Sequence, residues 1–546
     1  MDMKTKAFNQ QKWWKNTVIY QVYPRSFLDT NGDGIGDLPG VTKKLDYLKD
    51  LGIGAIWLSP VCKSPQHDNG YDISDYMDID PLFGSLQDMD ELIAEAKKRD
   101  IKIVLDMVLN HSSNEHPWFL EAKKSRDNPY HDFYIWRDGT PEEAPNDHPA
   151  IFGGLAWEYV PELGQYYLHH FLPEQPDLNW ENPVLRNKLY EMIHFWINKG
   201  VGGFRLDVID HIAKQPDLKI MSEGKGLHDY IREMTAATFS KADLVTVGEA
   251  WSATTETSKL WSNPDGSELS MIFQFEHVIL DQIPGKQKWD LAPFPFLKFK
   301  KVLSKWQTEL YDKGWNSLFF GNHDMPRSVS NFGNDKDYWV ESAKMLALVL
   351  HGMQGTPYIY QGEELGMTNV SYAIEDYQDV EILNMYKERL AKGYSEAEIM
   401  ASIHAKGRDN ARTPMQWTNG ENAGFTEAKP WIKVNPNYLK INAQSQISDP
   451  DSIYSFYKRL IALRKSEPLL IDGEYALLLA EDEQIFAYTR NLGNESLLVI
   501  ANFTGAEVSY DDKDISLYEN GKCLISNYDS KAKPGRLRPY EARIYK

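Results

Sequence analysis

Short runs of apolar, β-branched and aromatic residues alternate along most of this chain with stretches in which Leu, Ile and Phe recur every three or four positions. The first pattern predicts buried strands and the second amphipathic helices. The strand-like runs are Val18–Phe27, Ala55–Val61, Ile101–Leu109, Gly203–Val208, Leu244–Ala250, Met271–Phe275, Ser317–Gly321 and Pro357–Tyr360. Between them lie helical patterns at Gly40–Leu51, Met89–Arg99, Leu185–Lys199, Leu227–Phe239, Phe296–Leu310 and Glu341–Met353. Strand–helix alternation repeated eight times predicts an α/β fold, a (β/α)8 TIM barrel in preference to an open sheet.

Two stretches break the rhythm. From His111 to Trp180 the chain is rich in Asn, Pro, His, Gly and aromatics without a regular period, which reads as an irregular insertion after the third strand. A second irregular stretch, 371–436, holds a helical pattern at Val380–Leu390, and Ile453–Lys465 reads as the last barrel helix. Beyond Leu469 short alternating runs (Tyr475–Leu479, Ile485–Thr489, Ser496–Phe503) predict a C-terminal antiparallel β domain. The expected organisation is a barrel over 1–110 and 181–468, an insertion domain over 111–180 and a C-terminal β-sandwich over 469–546.

Composition narrows the partners. With 42% hydrophobic residues, 16 Trp, 30 Tyr and 22 Phe, the chain has ample material for large cores and is not disordered. Its 59 basic against 79 acidic side chains, a net charge of −20, make nucleic acid and anionic membranes poor partners, while a neutral ligand remains compatible. Cys62 and Cys523 form no disulfide framework. The N-terminal stretch shows no signal-peptide-like apolar run, and no run of about 18 apolar residues predicts a membrane helix. The expectation is a cytoplasmic monomer.

Side chains at the C-terminal ends of barrel strands line the active site. Here four strands end in carboxylates: Asp106 before Asn110-His111, Asp207 after Arg205, Glu249 before Trp251, and Asp324 after His323. Arg205 lies two residues before Asp207 on the same strand face, which would keep that carboxyl ionised. Glu249 has no basic neighbour in sequence and is followed by Ala250 and Trp251, an apolar setting that would raise its pKa. One ionised and one protonatable carboxyl are the equipment for cleaving a glycosidic bond.

The segments DMVLNH, GFRLDVIDH, GEAW and GNHD resemble, in order and spacing, the signature regions of the α-amylase superfamily, glycoside hydrolase family thirteen. IYQVYPRSF, DNGYDISDY, QPDLNW, IYQGEELGMTN and RDNARTPMQW resemble its oligo-1,6-glucosidase and dextran glucosidase (glucan 1,6-α-glucosidase) branch, and the likeness runs from Trp13 to Trp417. The resemblance implies Asp207 as nucleophile, Glu249 as acid/base and Asp324 as transition-state stabiliser. It implies that His111 and His323 hold hydroxyls of the reacting glucose and that Arg205 accompanies the nucleophile. Asp68 and Tyr71 would grip and stack on the non-reducing-end glucose, with Arg412 as their charged partner. Phe152, Phe171 and Gln175 would close the pocket, and Trp251 would meet the next sugar.

In this branch Val after the nucleophile, here Val208, goes with α-1,6 linkages, and Ala or Thr with α-1,4. Relatives often carry a Trp, Glu or Asn just before NHD, where this chain has Gly321. Sucrose isomerases carry an Arg-rich loop after the strand-seven motif, and SNFGNDKDYW lacks it. The implied activity is hydrolysis of isomalto-oligosaccharides, with an α-1,4-glucosidase, a trehalose-6-phosphate hydrolase or a sucrose isomerase as alternatives within the family. A non-catalytic transporter-subunit ectodomain would lack the carboxylates and carry a membrane helix. Asp29, Asn31, Asp33 and Asp37 match the first part of an EF-hand loop, although Gly40 stands at its twelfth position and an Asx/Gly-rich turn fits as well. The resemblance implies a structural Ca²⁺ held by Asp29, Asn31, Asp33, Asp37 and the Ile35 carbonyl.

Overall fold

A computed structural model describes residues 12–528 and 533–546. The N-terminal stretch read above as free of a signal peptide lies, as far as residue 11, outside the described residues. The eight expected strands all form: β1 (Ile19–Val22), β2 (Ala55–Leu58), β3 (Lys102–Val108), β4 (Gly203–Asp207), β5 (Val245–Glu249), β6 (Met271–Phe273), β7 (Ser317–Leu318) and β8 (Thr356–Tyr360). They are parallel where they pair and are separated by helices, as the (β/α)8 class requires. The run predicted as one strand over Val18–Phe27 is shorter, because Pro24 opens a 3₁₀ turn at Pro24–Ser26.

The chain divides into two compact units, Trp57–Gln274 and Met1–Ile56 with Phe275–Lys546. In the first, β3 pairs with β4, β4 with β5, and β5 with β6. The register sets Asp106 beside Arg205, Arg205 beside Val247, and Glu249 beside Phe273. Since alternate residues share a face, Arg205 and Asp207 point together, as do Val247 and Glu249. The insertion is more regular than expected: Trp136–Asp138, Gln165–Leu168 and Trp157–Val160 form a three-stranded antiparallel sheet. Strands of three and four residues are too short to leave an alternation in the sequence.

In the second unit β8 pairs with β1 and with β7. The stretch 371–436 contains the expected helix, Val380–Ala391, and an unexpected one, Glu396–Lys406. Its start is marked by a capping box between Ser395 and Glu398, a signal present in the sequence as Ser-x-x-Glu. The C-terminal region forms a five-stranded antiparallel sheet of β9 (Glu474–Leu478), β10 (Ile485–Leu492), β11 (Glu495–Asn502), β12 (Cys523–Ser526) and β13 (Ala542–Tyr545), in the order β9-β10-β11-β13-β12. A two-stranded ribbon, Val508–Ser509 with Arg536–Leu537, accompanies it. Buried Arg490 ties this sheet to its unit by donating to the carbonyls of Gly352, Leu470 and Gly473.

Candidate active site

In the unit Trp57–Gln274 the strand ends converge on one guanidinium. Arg205 Nη1 donates to Asp207 Oδ1 at 2.6 Å and to Asp106 Oδ1 at 2.8 Å, and Nη2 donates to Glu249 Oε2 at 2.5 Å. All four side chains are buried. Asp106 also accepts from Trp57 Nε1 and Tyr71 OH, and the guanidinium lies 5.2 Å from the Trp57 ring centroid and 5.7 Å from that of Tyr71.

This geometry corrects two expectations. Glu249 does not sit in an apolar setting: besides Arg205 it accepts from the Val208 backbone N–H at 3.1 Å and from Trp251 Nε1 at 2.9 Å. Arg205 and Val208 come from the end of another strand, while Trp251 lies two residues on in the sequence. Nor does Arg205 serve Asp207 alone. One cation faces three carboxylates, so burial, joined by the charges of Glu249 and Asp106, pushes the Asp207 carboxyl up, and burial pushes Asp106 up to about 6. Protons on this cluster belong to the set of groups rather than to one side chain. Val208, which follows Asp207, has a left-handed backbone (φ 34°, ψ 45°). That is a strained conformation for a β-branched residue, and it aims the Val208 N–H at Glu249.

A second group in this unit joins the residues expected to hold the terminal glucose. Gln175 Nε2 donates to Asp68 Oδ2 at 3.1 Å and lies 3.1 Å from His111 Nε2. The Phe171 ring is 5.2 Å from that of His111 and 5.9 Å from that of Phe152. Burial holds His111 neutral, its pKa lowered to about 4, so it presents an uncharged ring.

In the other unit Asp324 is gripped from two sides. Its Oδ1 accepts from Arg412 Nη2 at 2.7 Å and Arg408 Nη1 at 3.4 Å, and its Oδ2 lies 3.2 Å from His323 Nε2. His323 Nδ1 is 2.9 Å from Gln21 Nε2, and its ring stacks on Tyr23. Arg412 therefore bonds to the carboxylate of the NHD motif. Gly321, just before that motif, leaves room: a Cβ there would meet Glu363 Oε2 at 3.8 Å, the Pro326 carbonyl at 3.9 Å and Ser328 Cβ at 4.0 Å, all ordinary contacts.

The loop after β1 is closed by its own side chains. Asp29 accepts from the amides of Asn31, Gly32 and Gly34, Asn31 Oδ1 from that of Asp33, and Asp33 from that of Ile35. Asp37 accepts from Thr30 and caps the helix Leu38–Lys43 through the Gly40 amide. Gly34 is obligatory here, with φ 91° and the Lys429 carbonyl 2.1 Å from where a Cβ would stand. The donors are all oxygens, which is the chemistry of a hard cation. Among the described residues no group of three His, Cys, Asp or Glu side chains is arranged to hold a metal ion.

A parallel-stranded catalytic fold with a carboxylate pair on one arginine and an Asp-His pair at another strand end defines a class, and sequence comparison agrees: the chain belongs to the α-amylase family of glycoside hydrolases, whose alpha amylase catalytic-domain model matches residues 21–473. The model of the alpha-amylase SusG C-terminal domain matches residues 485–544. The chain is 52% identical to an oligo-1,6-glucosidase of Parageobacillus thermoglucosidasius, over 98% of this chain and 99% of that protein. It is 55% identical to a glucan 1,6-alpha-glucosidase of Streptococcus pneumoniae, over 91% and 92% respectively. Among solved structures, a Bacillus licheniformis trehalose-6-phosphate hydrolase is similar at 49% identity and a TM-score of 0.93, covering 98% of this chain and 99% of that one.

The sequence marks Asp106 as a strand-end carboxylate without an evident partner and gives no role to Trp57, Gln21, Tyr23, Arg408 or Asp379. Trp57, Gln21 and Tyr23 read simply as strand residues. Arg408 stands inside the RDNARTPMQW motif, where its position beside Arg412 was a usable signal.

Proposed function

We propose that this chain is a retaining, exo-acting α-glucosidase that hydrolyses α-1,6-glucosidic bonds at the non-reducing end of isomalto-oligosaccharides and releases glucose. The observation that carries the chemistry is Arg205, whose two terminal nitrogens hold Asp207 and Glu249 at once. Holding both carboxyls on one guanidinium keeps them close together, as the retaining mechanism requires, in which the second carboxyl and not a water attacks the sugar. Glu249 protonates the glycosidic oxygen while Asp207 attacks the anomeric carbon. Water then resolves the glucosyl-enzyme with Glu249 as base. Asp324 stabilises charge on the distorted sugar, and His111, Asp68, Gln175 and Phe171 hold the terminal glucose.

The α-1,6 assignment is supported by Val208 beside the nucleophile and by the names of the 52% and 55% identical relatives. It is tested by following hydrolysis of isomaltose, isomaltotriose, panose and dextran beside maltose, sucrose and trehalose-6-phosphate, with the product anomer read by NMR. Isomaltose turnover with α-glucose appearing first is expected; β-glucose first, or preference for another disaccharide, would overturn the reading. Val208→Thr is expected to raise maltose cleavage relative to isomaltose several-fold.

We also propose Ca²⁺ at the loop 29–37, where Asp29, Asn31, Asp33, Asp37 and the Ile35 carbonyl would have to turn from the loop amides to converge on the ion. It would stiffen the loop and take no part in bond cleavage. We place the enzyme in the cytoplasm, where its two unpaired cysteines stay reduced, and propose that it acts as a monomer.

A further inference from the structure

Asp379 is almost fully buried and belongs to no step described above. It caps the helix Val380–Ala391, and its carboxylate takes a two-pronged grip from Arg408: Nε to Oδ2 at 2.9 Å and Nη2 to Oδ1 at 2.6 Å. Arg412 Nη1 stands 3.7 Å from the same Oδ1. The other ends of both guanidiniums rest on a single oxygen of Asp324, at 3.4 Å and 2.7 Å. Two arginines thus bridge two carboxylates, and Glu381, held by Lys288, lies 3.4 Å from Arg408 Nε at the edge of the group. Asp379 is itself fixed from behind, because Asp409 Oδ2 accepts the backbone amides of Gln378 and Asp379.

We propose that Asp379 is a positioning residue for the glycosidase reaction: by holding Arg408 and Arg412 as a pair on one oxygen of Asp324, it sets the direction and effective charge of that carboxylate. The inference rests on the reading of Asp324 as the transition-state stabiliser. Without the Asp379 charge, Arg408 and Arg412 bear more strongly on Asp324, drawing its negative charge away from the sugar, and Arg408 loses its two-pronged partner, keeping Glu381 at 3.4 Å. Burial raises the Asp379 pKa, but Arg408 and Arg412 outweigh it and hold the group at about 2. Asp379 therefore keeps its charge at any working pH.

The test compares Asp379→Asn, Asp379→Glu, Asp324→Asn and the double variant Asp379→Asn/Asp324→Asn, assayed on isomaltose and on an aryl α-glucoside with an activated leaving group. Asp379→Asn is expected to lower kcat at least tenfold with KM changed less than threefold, and Asp379→Glu to recover part of the loss. In the Asp324→Asn background, Asp379→Asn is expected to cost less than a further twofold, because its route to the substrate is already cut. Wild-type kcat in Asp379→Asn, or a full multiplicative loss in the double variant, would overturn the proposal. Should Asp379→Asn not fold, Arg408→Gln asks the same question with the same double variant and the same deciding outcomes. Failure of the underlying reading looks different: Asp324→Asn itself would keep wild-type kcat.

Discussion

Arg205 is the residue on which the carboxylate cluster depends. Replacing it by Met keeps much of its volume but strands Asp106, Asp207 and Glu249 together in a buried place, where removing one partner of an ion cluster costs about 3–5 kcal/mol. That cost depends on pH with a definite sign. Carboxyls whose folded pKa lies above the unfolded value bind protons more tightly when folded, so their destabilisation is present at neutral pH and fades as pH falls. Thermal unfolding of Arg205→Met is therefore expected to show a larger Tm deficit at pH 7.5 than at pH 5.5. Equal deficits at both would mean that Arg205 does not act by compensating charge. Most of the site was legible at this scale, because Asp207, Glu249, Asp324, His111 and His323 stand at strand ends in recognisable motifs. What they bond to was not. Glu249 looked apolar in sequence because Arg205 and Val208 lie more than forty positions away and come near only on folding, and because Trp251, two residues on, counts as a ring although its Nε1 donates.

The eight strands were readable as elements because each is a buried apolar run between amphipathic helices, whereas the insertion's short strands left no period to read. The 3₁₀ turn Glu363–Leu365, just past β8, shows what neither pattern reveals. Glu363 accepts from Tyr457 OH at 2.9 Å, and burial pushes its carboxyl up to about 8. Its folded pKa exceeds the unfolded value, so this group's contribution is favourable in acid and is lost as pH rises from about 4.5 through 8. Gln in its place carries no charge and still accepts from Tyr457. Glu363→Gln is expected to gain on wild type as pH climbs from 5.5 to 8.5, by about 3 kcal/mol, read as a Tm difference that widens by several degrees. A Tm difference that stays flat across that range would place the ionisation elsewhere.

At the scale of the whole molecule, the loop 29–37 ties together segments hundreds of residues apart. Asp29 accepts from Thr426 OH, its amide donates to the Phe425 carbonyl, and the Trp431 amide donates to the Gly34 carbonyl. An ion bound here would stiffen a long-range clasp and stabilise the folded chain by mass action. Exhaustive chelation is expected to lower Tm by several degrees, reversibly with Ca²⁺, while kcat at 25 °C holds. An unchanged Tm together with a metal-free elemental analysis would remove Ca²⁺ from this loop.

The notch at Gly321 has a practical side. Its backbone needs no left-handed conformation, and a first side-chain atom would meet nothing closer than 3.8 Å. The position is therefore a free variable of the scaffold: a saturation library there should return folded protein for most small and medium residues. Because Asn322, His323 and Asp324 follow directly, running the library's members on an isomalto-oligosaccharide ladder tests whether a side chain at 321 changes the product pattern.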